Sequence, residues 1–234
     1  MVNLKSIAYR IASRYPDHRV LITRNILSNQ LPEMVIDENG DKVWKLNGKL
    51  HREDGPAVIE RNGAKHWYLN GKLHNEDGPA TIRANGNKEW LINGKRHRED
   101  GPAVEYANGS KSWYINDEYH REDGPAIEQS NGAKVWLIHG KHHRTDGPAI
   151  EHADGTKEWF INDERYREDG PTIERRNGTK EWYLGNDFHR EDGPAIEHAN
   201  GDKSWYLNGN KIEYDPETWD QIVRESHIEN IMNN

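Results

Sequence analysis

A histidine recurs at one position along much of the chain, at His51, His74, His97, His120, His143 and His189, and acidic residues follow it, as in His97-Arg98-Glu99-Asp100. Imidazole beside carboxylate is the chemistry of a metal site or of an acid–base pair. The spacing argues against both. Neighbouring copies of the motif are 23 residues apart. In a stack of hairpins that places them ~10 Å apart, two strand spacings, whereas zinc ligands sit ~2 Å from their ion. Tyr166 replaces the histidine in one copy and Thr145 replaces the glutamate in another. A strict metal site or catalytic carboxylate pair would not tolerate those changes. The expectation is no metal, no cofactor and no enzyme. The plainer roles are a histidine stacked on a neighbouring tryptophan and an aspartate capping a turn. The Asn-Gly and Asp-Gly pairs stand in no strand-to-helix context, so they are read as turns and not as phosphate loops.

The elements that position these residues follow from the repeat itself. Trp occurs at 44, 67, 90, 113, 136, 159, 182 and 205, always 23 apart, and Asp-Gly-Pro begins at Asp54 and returns with the same period through Asp192. Within one unit, 55–77, two Asn-Gly pairs (Asn62-Gly63 and Asn70-Gly71) flank a six-residue run. Asn-Gly suits a type I′ turn, so the chain reverses twice per unit. The predicted fold is mainly β: an elongated single-layer antiparallel meander of 23-residue hairpin repeats, with short helical caps at both ends. If both turns are two-residue loops, Val58 pairs with Trp67, Glu60 with Lys65, and Tyr68 with Leu73. Val58, Trp67, Leu69 and His74 then share one face, read as the continuous core. Ala57, Tyr68 and Leu73 share the other.

That second face varies between units. The pairs Tyr114–Tyr119, Phe160–Arg165 and Tyr183–Phe188 make aromatic spots with polar handles, as interface hot spots do. These six residues are the predicted partner-binding set, the alternative being a face that is simply covered. The loop rim with Arg98, Arg121 and Arg144 as exposed cations is the next candidate.

Composition narrows the class. Only 33% of residues are hydrophobic and 31% are charged, too polar for a thick core, yet 9 Trp and 10 Tyr argue against a disordered chain. The net charge of −8 lacks the basic footprint of a nucleic-acid binder. The absence of cysteine excludes disulfides. No apolar stretch reaches the ~18 residues of a membrane span, and no secretory leader is apparent. The expected location is therefore the cytoplasm. Three regions are expected: an N-terminal helical cap over 1–33, an eight-unit array over 34–213, and a C-terminal helix over 214–234. Asp215-Pro216 is the start signal for that helix.

The Trp-plus-Asn-Gly hairpin, the run Asn70 to His74 and the 23-residue length resemble MORN (membrane occupation and recognition nexus) repeats over about 34–213. Where those repeats have His-Gly-x-Gly, this chain has His-Arg-Glu-Asp-Gly-Pro-Ala, a variant associated with large DNA viruses and phages. The resemblance implies an elongated, often dimeric scaffold, and in a viral setting an accessory protein in the host cytoplasm that blocks or sequesters a host factor. A weaker likeness is to choline- and cell-wall-binding repeats. The expected function is thus a non-enzymatic scaffold binding a protein partner through a long β surface. The alternatives are a carbohydrate-binding aromatic ladder and a structural homodimer.

Overall fold

The computed structural model describes residues 31–232, with side chains through 228. The expected N-terminal cap falls almost wholly outside the described residues, and the strand Glu33–Ile36 already occupies its last position. The chain divides into two compact units, Met1–Ala107 and Asn108–Asn234.

Both units are antiparallel meanders, and the polypeptide builds them from very short strands. In the first unit Glu33–Ile36 pairs with Lys42–Leu46, which pairs with Val58–Ile59. The pairing continues through Lys65–His66, Thr81–Ile82 and Lys88–Glu89 to Val104–Glu105. In the second unit the same succession runs from Lys111–Ser112 through Ile127–Glu128 and Lys134–Val135 to Lys203–Leu207. A second row consists of two-strand hairpins, such as Tyr68–Leu69 with Lys72–Leu73 and Tyr114–Ile115 with Glu118–Tyr119. From Trp67 to Trp182 the two rows meet at the tryptophan, which belongs to neither short strand, whereas Trp44 and Trp205 lie within the five-residue strands Lys42–Leu46 and Lys203–Leu207. Trp67 N–H donates to Ala80 O in the next repeat, and Trp67 O accepts from His74 N–H. Hairpins of adjacent repeats are also bonded, as by Gly94 N–H to Leu73 O and Gly140 N–H to Tyr119 O, each 2.8 Å.

The two Asn-Gly pairs do different work. At the second, Asn70 and Gly71 both have positive φ (52° and 83°), giving the expected type I′ turn with Tyr68 opposite Leu73. At the first, only Gly63 does (92°). Gly63 N–H and Ala64 O are bonded to the two backbone groups of Glu60, which makes a three-residue loop with a glycine bulge. Asn62 keeps its usual φ, and its side-chain oxygen accepts from Ala64 N–H at 2.8 Å. The strand register therefore slips by one from the expectation: Val58 faces His66 and Ile59 faces Lys65.

A one-residue slip exchanges the faces of a strand, and the core is only in part the one expected: Val104, Ile173, Ile196 and Leu207 are buried as expected. The alanine after Gly-Pro is completely buried in repeat after repeat, as at Ala57, Ala80, Ala126 and Ala149. Leu91, Tyr114, Leu137 and Phe160 are also buried. The tryptophans, expected to form that core, are half-buried in all eight repeats. Small alanines at the tightest point and large rings beside them let two rows of short strands close on a thin interior.

The C-terminal helix, Trp219–Met232 (α1), is present as predicted. Asp215 caps its approach: its carboxylate accepts from Glu217 N–H at 2.9 Å, and its carbonyl accepts from Trp219 N–H.

Candidate binding grooves along the tryptophan line

Six of the eight repeat tryptophans are covered on one ring face by the arginine of the following loop, the exceptions being Trp67, where Asn75 stands in the arginine's place, and Trp205. Arg121, Arg144, Arg167 and Arg190 lie 4.0–4.1 Å above Trp113, Trp136, Trp159 and Trp182. The planar guanidinium stacks on the ring while its N–H groups remain free to bond outward. For Arg144 they reach Asp146 at 2.8 Å, the Pro148 carbonyl at 3.2 Å and Glu151 at 3.2 Å. Arg144 is thereby only 20% exposed while Asp146 is 81% exposed. The same holds for Arg98 and Arg121, so these arginines are not the exposed cations expected on the loop rim. The rim presents carboxylates. The hydrogen bond and charge of each arginine hold Asp100, Asp123 and Asp146 below the ordinary carboxylate range.

The histidine, expected on the tryptophan, instead ties one repeat to the next. The Nδ1 atoms of His74 and His189 accept the backbone N–H of Asn93 and Asn208 at 3.1 Å. A backbone N–H can only donate, so Nδ1 carries no proton and Nε2 does. Nε2 of His74 lies 3.4 Å from Glu76. The recurrence of histidine is thus explained by a turn that needs an acceptor. Among the described residues no group of three or more His, Asp or Glu is placed to hold a metal ion.

The predicted partner-binding set is brought together in the expected pairs, with two of the six residues buried. Tyr114 is 6% exposed and Phe160 9%. Tyr119, Arg165, Tyr183 and Phe188 are half-buried. Tyr114 packs on Tyr119 with ring centroids 4.2 Å apart, and Tyr183 on Phe188 at 4.3 Å. Arg165 lies over both Phe160 and Tyr183. Burial and the Glu181 charge push the Tyr183 phenol up to about 12. The pairs have the expected register, and the burial of Tyr114 and Phe160 corrects the reading of their face as an open surface at those two positions.

The open surface lies on the other side of the sheet. Between consecutive Asp-Gly-Pro loops of the second unit run two shallow grooves. One, of about 560 Å³, has Trp159 and Ile161 as its floor, with Asp146 and Asp169 on opposite walls. The other, of about 730 Å³, has Trp136 and Ile138 as its floor, with Asp123 and Asp146 on its walls. Thr145, where other repeats carry glutamate, lines both.

The final position of this series is filled by the chain itself. Trp205 has Tyr214 stacked on it at 3.7 Å and 6°, and Trp219 set edge-on at 4.9 Å. Trp219 Nε1–H donates to Glu191 O at 2.8 Å. His227 bonds the Glu191 carboxylate, which the imidazole holds below its usual range. Neither the arginine lid nor the role of Trp219 was read from the sequence. The recurring Arg-x-Asp, with glutamate seven residues after the arginine from Arg98 to Arg190, was the available signal.

Fold and site together define a hairpin-repeat protein with an arginine-lidded tryptophan in successive repeats. No family model matches the chain, and no curated protein matches it. Among the described residues no helix is long and apolar enough to cross a membrane.

Proposed function

We propose that the chain is a non-enzymatic repeat scaffold that engages a protein partner through the tryptophan side of its sheet. The observation that supports this reading most is the repetition of one groove chemistry: an indole and aliphatic floor between carboxylate-bearing walls, seen at Trp136 and again at Trp159. A catalytic centre is one constellation, whereas a series of equivalent shallow sites suits a ligand that runs along the array. On the family resemblance, the partner is a host factor that the chain blocks or sequesters in the host cytoplasm.

The test is affinity capture with quantitative mass spectrometry from the cells in which the protein occurs. It compares the full chain with a variant carrying Ile138→Glu and Ile161→Glu. The expected result is a protein retained by the wild type and depleted at least tenfold on the variant. Retention of no protein above the background of an unrelated bait would contradict the scaffold reading.

A further inference from the structure

The last groove shows what this surface accepts. Its loop is 189–193 and its floor is Trp205 with Leu207, the same parts as in the groove over Trp159 and Ile161. The occupant is the chain's own C-terminal segment. It brings an aromatic ring onto the indole, an indole N–H to the Glu191 carbonyl, an imidazole to the Glu191 carboxylate, and Ser226 Oγ to the Asn208 amide at 2.9 Å. Coverage is read directly from the floor. Leu207 is 3% exposed, while Ile138 and Ile161 at the same position of the two grooves are half-buried.

The grooves over Trp136 and Trp159 keep the tryptophan-plus-aliphatic floor, with Arg144 and Arg167 on the indoles where Trp205 carries Tyr214, and hold no occupant among the described residues. Their rims are more acidic in effect, because the arginines are drawn down onto the rings. Asp123 and Asp169 are 84% and 87% exposed, against 21% for Arg121 and Arg167. A ligand that matches both features carries an aromatic anchor and positive charge.

We propose that these two grooves dock a short partner segment built like the C-terminal cap, with a Trp or Tyr anchor on the groove floor and Lys or Arg facing the aspartate rim. This rests on the scaffold reading above and names the chemistry of its partner.

The probe is a synthetic peptide of residues 213–232 in which Glu217, Asp220 and Glu225 are replaced by lysine, titrated against the full chain by fluorescence anisotropy. Saturable binding is expected. It should weaken at least tenfold when the peptide carries Trp219→Ala, and when the protein carries Ile138→Glu with Ile161→Glu. Thr145→Arg is the second variant. It changes an exposed loop residue shared by both grooves, places a cation on the rim, and should also weaken binding at least tenfold with an unchanged melting temperature. The unmodified acidic peptide should bind at least tenfold more weakly than the lysine version. Equal affinity for the anchor-less peptide, or for the Thr145→Arg protein, would overturn the proposal, as would the absence of saturation. A protein partner retained equally by wild type and Thr145→Arg would remove the groove assignment while leaving the scaffold reading in place.

Discussion

At the scale of single residues, the loop arginine joins a stacking contact to hydrogen bonds on both sides of its loop. Arg144 stacks on Trp136, bonds Asp146 and reaches the Pro148 carbonyl. Arg144→Lys keeps the charge and loses the planar stack and the forked donors. We expect Arg144→Lys to cost about 1 kcal/mol and Arg144→Ala about 1–2 kcal/mol in urea unfolding, from the loss of a stacked cation and its carbonyl bond. The aspartates contribute a pH dependence. Asp123 and Asp146 have carboxyl groups held below their usual 3.8 by Arg121 and Arg144. In acid the folded chain therefore binds fewer protons than the unfolded one. The contribution is complete above about pH 5 and is lost as pH falls through the lowered folded values. Thermal melts of Asp123→Asn with Asp146→Asn should lie slightly below wild type at neutral pH, and the gap should close at about pH 2. A gap that widens in acid would show that these pairs do not stabilise the fold.

At the scale of elements, the two turns explain both what the sequence conveyed and what it concealed. Alternation, the period and the second turn were legible, since Asn-Gly with two positive φ values is the type I′ signature. The first Asn-Gly satisfies a three-residue loop as well, in which the asparagine side chain bonds the strand and only the glycine is left-handed. Nothing in 58–66 distinguishes the two, and the difference is one residue of register. That slip changes which residues of the first strand face 65–66, whereas the hairpin pairs Tyr114–Tyr119 and Phe160–Arg165 have the expected register, and it is burial that places Tyr114 and Phe160 in the interior. The turns should also respond differently to the same substitution. Gly132, in a first turn, has φ 92° and no atom near its missing Cβ, so Gly132→Asp meets backbone strain alone. Gly140, in a second turn, has φ 76°, and Asp117 and Asp163 already occupy the equivalent position at 73° and 69°. Gly132→Asp should cost about 1–2 kcal/mol and Gly140→Asp less than about 1 kcal/mol. Chemical denaturation of the two variants decides, and equal losses would contradict the turn assignment.

At the scale of the whole molecule, a repeat is held by its neighbours in sequence, through His–turn bonds, hairpin-to-hairpin bonds and the Trp-to-alanine bond. Removing 124–146, one 23-residue period of the second unit, joins equivalent ends and should leave a folded, shorter protein. Removing 124–134 alone breaks the register and should abolish the cooperative melt by circular dichroism. Similar melts for both deletions would contradict modular stacking. The period announced this organisation in the sequence. It did not announce that the C-terminal segment would lie on the last tryptophan, because Trp219 stands outside the period and its partner, the Glu191 carbonyl, is a backbone atom with no sequence signature.

The central claim is that recognition runs along the tryptophan line while the tyrosine side is core. Amide hydrogen exchange of the full chain, with and without the lysine-bearing 213–232 peptide, tests it most directly. The account predicts slowed exchange in the loops 121–125, 144–147 and 166–169, with the turn tips 116–117, 139–140 and 162–163 unchanged. Protection confined to those turn tips, with the loops unaffected, would place the binding surface on the other side and contradict the account.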